Sequence, residues 1–371
     1  MMSKIRRSVL FFVLYGLSGA SSRYRVYQYL PFLKREGISY TVYPFYTERF
    51  EFLSLKCSSL GPMARNAFNK VYLYYGYLKR FLQILSASRY DTVFIQKELM
   101  PKFLLNLLCR LNKNLIFDFD DAIFLSDKEQ ESIFGMVMLK KSQDQTDMVL
   151  RRAHSVVVGN RFIGSYAETF CPRVTMIPIA IDTARYKCIP KENRESVVLG
   201  WIGRQRNAYY IDDLEEIFSR LSREFAGRLE LLIIGAQKAR MDSLRVACKP
   251  WNYASEIKDL SAIDIGLMPL RDEDWSRGKG GCKLLQYMAL GIATVSSPVG
   301  INNEIINDGV NGFLAFTKEE WFEKIACLIR DPGLRSEMGK RAQDTVFRKY
   351  SLDKWQKIFL DTILNGAGAA N

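Results

Sequence analysis

Histidine is nearly absent: the 371-residue chain holds one, His154. One imidazole excludes a histidine-built metal centre and argues against a Ser-His-Asp scheme. His154 stands directly before the apolar run Ser155–Val158, at the entrance of an expected strand and not its exit, so it reads as a packed or solvated structural group. Cysteine occurs seven times, at 57, 109, 171, 188, 248, 282 and 327, never within two residues of another. That spacing excludes a paired zinc motif and a disulfide framework, and it suits a reducing cytosol. Long apolar runs are missing too. None reaches the roughly 18–20 consecutive residues needed to cross a bilayer, so no transmembrane helix is expected. Lys4, Arg6 and Arg7 ahead of Val9–Leu14 imitate a secretory signal, but the run breaks at Gly16 and Arg23–Leu33 resumes at helical spacing, giving strand, turn, helix.

What is there is an ordinary globular composition, 48% hydrophobic and 25% charged, long enough for two domains. The charge is uneven. Residues 1–190 carry 27 Lys and Arg against 15 Asp and Glu, whereas residues 191–371 carry 26 against 25. A basic first half points to an anionic surface or ligand, whether membrane phosphate, nucleic acid or a phosphorylated acceptor, or else to a solvated charge surplus that aids solubility. Residues 60–90 interleave Phe68, Tyr72, Tyr74, Tyr75, Tyr77 and Phe81 with Arg65, Lys70, Lys79 and Arg80. This reads as a helix that lies at a membrane interface or grips an anionic acceptor, as a helix with a core face and a solvated basic face, or as a stacking surface for single-stranded nucleic acid. No RNA or DNA motif accompanies it, so nucleic acid is not an expected partner.

Short apolar runs alternate with amphipathic stretches. Ser8–Tyr15, Tyr40–Tyr46, Thr92–Gln96, Leu115–Phe119 and Ser155–Val158 read as strands, and the rhythm restarts after Ile189–Asn193 with Val197–Ile202, Leu229–Ile234, Asp264–Met268, Thr294–Ser297 and Gly312–Ala315. An α/β architecture of two Rossmann-like units follows, 1–190 and 191–350, then a helical pattern and small-residue tail over 351–371 that reads as mobile.

In such folds ligands lie at strand exits. Gly16 and Gly19 follow the first strand and permit close backbone approach, but the third glycine of a dinucleotide fingerprint is missing, which leaves NAD weakly supported. Asp118, Asp120 and Asp121 crowd three carboxylates at one exit, where a catalytic base, a cation site and a helix cap compete. Gly203, Arg204 and Arg206 follow the first strand of the second unit, and guanidinium matches phosphate oxygens. Lys279, Gly280, Gly281 and Lys283 open a helix, bringing N–H groups, dipole and ammonium charge onto a diphosphate-shaped hole. This is not a Walker loop. Ser297–Glu304 forms a fifth exit, where Asn302 or Asn303 could simply cap a helix.

The stretch from Asp264 to Leu270, Gly278–Gly291, Ser297–Gly300 and Asn307–Leu314 resemble the C-terminal domain of family-4 retaining glycosyltransferases of the GT-B fold. Arg23–Leu33, Asp118–Asp121 and Ile177–Asp182 extend the resemblance into the first half. It implies two Rossmann-like domains facing across a cleft, with the C-terminal helix returning to the first domain. It also implies a nucleotide-diphosphate sugar held by the second domain, a glycan or lipid-linked acceptor on the first, and a place in cell-envelope polysaccharide synthesis. Such enzymes need neither metal nor cofactor as a rule, and the location implied is cytoplasmic, peripheral on an anionic inner membrane face. On this pattern Asp120, Asp121, Arg204 and Lys283 are the catalytic candidates. Gly16, Gly19, Gly203, Arg204, Lys279, Gly280, Gly281, Lys283, Leu284, Gln286 and Glu304 are the donor-binding ones. The chain departs from the pattern in carrying Tyr209 where a diphosphate-binding Lys is usual, Gly278 and Gln286 in place of two Glu, and Asp120 near the position of a His. A catalytically impaired nucleotide-sugar-binding protein of the same fold is the alternative. A sugar-nucleotide epimerase is disfavoured by the single His, and a metal-dependent transferase would use Asp118 and Asp120.

Overall fold

A computed structural model describes residues 7–59, 61–125, 143–189, 196–237 and 244–366. The chain divides into two compact units, Met1–Pro178 with Trp355–Asn371, and Ile179–Lys354. The sequence reading set its boundary at Pro190–Lys191, within 190–195, which lie outside the described residues. The segment before it belongs to the second unit, where Ile181 exchanges backbone hydrogen bonds with Tyr350 (2.7 Å) and Leu352 (2.8 Å). The tail expected to be mobile lies, past Gly366, outside the described residues.

The first unit is a parallel sheet of β1 (Ser8–Tyr15), β2 (Ser39–Tyr46), β3 (Thr92–Gln96), β4 (Leu115–Phe119), β5 (Ser155–Val158) and β6 (Val174–Met176), in the order β2-β1-β3-β4-β5-β6. Its central strands are apolar without alternation because helices cover both faces; β3, β4 and β5 are buried along their whole length. Helix Leu352–Gly366 joins this unit as expected. Phe359 stacks on Tyr29 with ring centroids 4.2 Å apart, and Thr92 Oγ1 donates to the Ile363 carbonyl at 3.3 Å.

The second unit is also a parallel sheet, of β7 (Val197–Ile202), β8 (Leu229–Ile234), β9 (Arg245–Lys249), β10 (Ile265–Met268), β11 (Ala293–Ser296) and β12 (Phe313–Leu314), in the order β12-β11-β10-β7-β8-β9. Trp201, Phe218, Ile233, Leu267, Val295 and Ile325 sit in its core. Counted within the unit the order is 3-2-1-4-5-6, so strand order reverses between β7 and β10; in the first unit it reverses between β1 and β3. Each reversal opens a crevice at the carboxyl ends of its sheet.

The edge strands β6 and β9 escape the sequence reading because they are short and exposed on one side or more. So does helix Pro332–Lys349, whose few apolar residues are spread among charges. Its start is set by Asp331, which accepts from Leu334 N at 2.9 Å, with Pro332 in the first turn.

Candidate functional site

In the second unit the crevice between β7 and β10 gathers three of the expected exit segments. β7 ends at Ile202, and a Cβ added at Gly203 would lie 2.3 Å from the Trp201 ring and 2.9 Å from Lys283 Nζ. Glycine is therefore obligatory there, and the ammonium of Lys283 rests directly on the β7 exit, with Arg204 the next residue. Lys283 Nζ stands 4.1 Å from the centroid of the Trp201 ring. Among the described residues no carboxylate pairs with Lys283. Burial, and then the neighbouring Lys279 ammonium, push it down to about 7. Lys279 itself lies over Trp275 and Tyr210, at 5.3 and 5.6 Å from their ring centroids.

Lys283 occupies the first turn of helix Cys282–Ala289, which starts at Gly281 in a left-handed conformation (φ 68°). A Cβ at Gly281 would meet Ile305 Cδ1 at 2.6 Å and Ile301 Cγ2 at 3.1 Å. One at Gly300 would meet the Arg277 carbonyl at 2.7 Å. The loop after β11 is thus packed against the Gly-rich turn by backbone contact. The N–H groups of Cys282, Lys283 and Leu284 lie in the turn where an α-helix supplies no acceptor. The helix is held to β7 by Tyr287, whose hydroxyl accepts from Ile202 N at 2.9 Å and whose ring covers Gly266. Gln205 braces the opposite wall, donating to the Gln237 carbonyl (3.0 Å) and accepting from Gln237 N (2.7 Å).

Other candidates have different surroundings. Gln286 is buried, with both Nε2 hydrogens spent on Tyr186 Oη (2.8 Å) and Glu256 Oε1 (3.1 Å), while its Oε1 accepts from Cys282 Sγ at 3.8 Å. Glu256 also accepts from Trp251 Nε1 at 2.9 Å and Arg185 at 3.1 Å. The Leu284 side chain is in the core and contributes only backbone to a site. Tyr209 lies 4.9 Å from the Arg271 guanidinium, which is itself bidentate to Asp213. Glu304 is exposed. Neither Asn302 nor Asn303 caps a helix: Asn302 Nδ2 donates to the Ser297 carbonyl at 3.1 Å and Asn303 Nδ2 to that of Pro298 at 2.9 Å.

The first unit brings together Asp118, Asp120 and Asp121 at the β4 exit, and it answers their crowding with cations. Arg25 Nε donates to both Asp118 oxygens, at 3.0 and 3.2 Å, in full burial. Burial nonetheless lifts the Asp118 carboxyl to about 6. Lys97 bridges the other two, donating to Asp120 Oδ1 at 3.2 Å and to Asp121 Oδ2. Asp120 Oδ1 also accepts from Ser21 Oγ at 2.5 Å, and Ser21 accepts from Gln96 Nε2 at 2.9 Å. Lys97, like Arg25, is absent from the candidates the sequence offers. Among the described residues it is the sole non-glycine at positive φ (58°). It stands at the exit of β3, on the strand reversal, and that position was the available signal.

Gly16 and Gly19 lie in this unit. A Cβ at Gly16 would find ordinary contacts, nearest Glu48 at 3.5 Å, so sterics do not demand glycine. At Gly19 a Cβ would stand 2.3 Å from that of Tyr15, so this glycine is required by the chain's own turn. His154 is half-buried at the entry end of β5, its N–H donating to the Leu115 carbonyl (2.7 Å) and its carbonyl accepting from Arg173 Nε (2.8 Å). That is the edge opposite the strand exits, as a structural role requires. Among the described residues no group of three or more His, Cys, Asp or Glu could hold a metal ion.

Two parallel six-stranded Rossmann-like sheets of this kind are the GT-B architecture of glycosyltransferases. Three solved structures share it. Anabaena Alr3699/HepE in complex with UDP and glucose is 14% identical, with a TM-score of 0.65 over 97% of this chain and 100% of its own. Sucrose-phosphate synthase of Thermosynechococcus elongatus is 14% identical, at 0.62 over 99% and 100%. A glycosyltransferase of Rickettsia africae is 12% identical, at 0.62 over 98% and 100%. Residues 196–331 match the family model Glycosyl transferases group 1, so the second unit carries the domain of a glycosyltransferase enzyme. No curated protein matches the sequence.

Proposed function

We propose that the protein transfers a sugar, with retention at the anomeric carbon, from a nucleotide diphosphate to a glycan or lipid-linked acceptor of cell-envelope synthesis. The observation that carries this is the Lys283 ammonium against Gly203, beside Arg204, at the strand reversal of a domain matching the glycosyltransferase family. In the transfer the anomeric carbon exchanges its bond to the diphosphate oxygen for one to the acceptor hydroxyl oxygen. Negative charge builds on the departing diphosphate, which takes up the hydroxyl proton. Lys283, Arg204 and the first-turn N–H groups of helix Cys282–Ala289 stabilise that charge, with Lys279 adding to the local potential. This set makes a metal unnecessary, and activity should persist in chelator. Several GT-B neighbours are complexes with UDP, which makes UDP-sugars the first donors to try. The seven cysteines are all free of disulfides, in keeping with the cytoplasmic side.

One observation favours a second reading, of donor binding without transfer. Gly278 has no side chain where the resemblance places a carboxylate, and the amide nitrogen of Gln286 is fully engaged. A panel of nucleotide sugars separates the two. Release of nucleoside diphosphate with sugar on an acceptor supports transfer, binding without release supports the second reading, and absence of binding rejects both.

A further inference from the structure

Helix Pro62–Ile84 carries large apolar groups on both of its faces. Its inward face packs Phe68, Tyr72, Leu73 and Tyr77 on Leu14, Phe45, Tyr46 and Phe50, and Gly76 lies so close to Phe45 that a Cβ would stand 2.8 Å from its ring. That face also carries a charge. Arg80 is fully buried and bidentate to Glu98, through Nε to Oε1 at 2.9 Å and Nη2 to Oε2 at 2.6 Å. The outward face carries large apolar groups as well. Val71, Tyr74, Tyr75, Leu78, Phe81, Leu82 and the following Leu85 recur at helical spacing and are each between 37% and 75% exposed. A row of large apolar side chains turned to water marks a contact surface.

Charge identifies what the row meets. From Phe52 through Tyr90 the chain has no Asp or Glu and six cations, Lys56, Arg65, Lys70, Lys79, Arg80 and Arg89, of which Arg80 is consumed inside. Helix Pro62–Ile84 therefore carries positive charge and no carboxylate of its own, and the nearest acidic residues before it in sequence are Glu48 and Glu51, in the first turn of the preceding helix Glu48–Ser59. Tyrosine rings and lysine stems, apolar in body and polar at the tip, suit the headgroup depth of a bilayer. No described helix is long and apolar enough to cross a membrane; a helix that meets a bilayer without crossing it lies in the plane of the surface.

We propose that the outward row of helix Pro62–Ile84 docks on an anionic phospholipid bilayer, its apolar side chains entering the headgroup boundary and Lys70 and Lys79 pairing with lipid phosphate. The surface is independent of the transfer reaction, and its test uses no sugar donor, so either proposal can fail without the other. The full chain is sedimented with vesicles of phosphatidylcholine alone and with vesicles containing about one-third phosphatidylglycerol. The expected result is binding to the anionic vesicles, weakened by salt. Partitioning should fall by about tenfold or more in Tyr74→Ser/Leu78→Ser/Leu82→Ser, and also in Lys70→Glu/Lys79→Glu. The melting temperatures of both variants, measured in parallel, should stay at the wild-type value because the positions are on the surface. Wild-type protein remaining in the supernatant overturns the proposal. So does equal binding by folded variants, or light scattering that shows a dimer without lipid which the serine variant abolishes, since a second copy would then cover the row.

Discussion

The ammonium nitrogen of Lys283 lies 4.1 Å from the centre of the Trp201 indole ring, and the same nitrogen closes on the space over Gly203. One residue on a helix start is thus seated on the exit of the first strand of its domain. It has no carboxylate partner among the described residues. In the function proposed above, that amine receives the anionic diphosphate.

Protonation of Lys283 should report on that anion. Its pKa of about 7 lies below the ordinary lysine value, so between the two the unfolded chain holds a proton that the folded chain does not. The contribution of this group to stability therefore rises with pH across that window. Lys283→Met removes the penalty, and thermal melts should show the variant gaining most at about pH 6 and progressively less towards pH 9. A diphosphate beside the amine raises its pKa again. Calorimetry at about pH 8 in buffers of different ionisation enthalpy should then show proton uptake on binding, absent in Lys283→Met.

Turnover should follow the same cations. Arg204→Ala and Lys283→Ala are each expected to lower transfer by about tenfold or more, because the charge they face develops in the transition state. Steady-state rates at saturating donor check this, and wild-type rates in either variant remove that residue from the site.

The Lys97 bridge gives a prediction for the first unit alone. Lys97→Met leaves Asp120 and Asp121 side by side without their shared cation. Nucleotide affinity, which the proposed function assigns to the other unit, should be unchanged while acceptor-dependent turnover falls by about tenfold. Lys97→Arg should recover part of the rate, which a purely steric loss would not allow.

The C-terminal helix is expected to be a structural part of the first unit. Phe359 is buried between Tyr29 and Phe94, with ring centroids at 4.2 and 5.5 Å. Phe359→Ala should cost about 3–5 kcal/mol in a denaturant titration.

The central strands were legible because a strand covered on both faces is a continuous apolar run, and Ser8–Tyr15, Thr92–Gln96, Leu115–Phe119, Ser155–Val158, Val197–Ile202 and Leu229–Ile234 stand at those bounds. β6 and β9 were not, since exposed positions interrupt that run in both. In the site, the Gly-rich turn and the carboxylate cluster announced themselves by composition. Their partners did not: nothing local marks Lys97 as the bridge between two carboxylates, or Arg25 as the counter-ion of Asp118, 93 residues away in sequence. The helix of residues 62–84 showed its aromatic and basic content in sequence, yet which face turned inward depended on Glu98 waiting for Arg80.

The most direct test compares UDP with uridine by titration calorimetry on the wild type and Lys283→Met. A cradle built for a pyrophosphate predicts that UDP binds the wild type at least about tenfold more tightly than uridine, and that most of this preference disappears in the variant. Equal affinities for the two ligands, or a preference that Lys283→Met leaves intact, would contradict it.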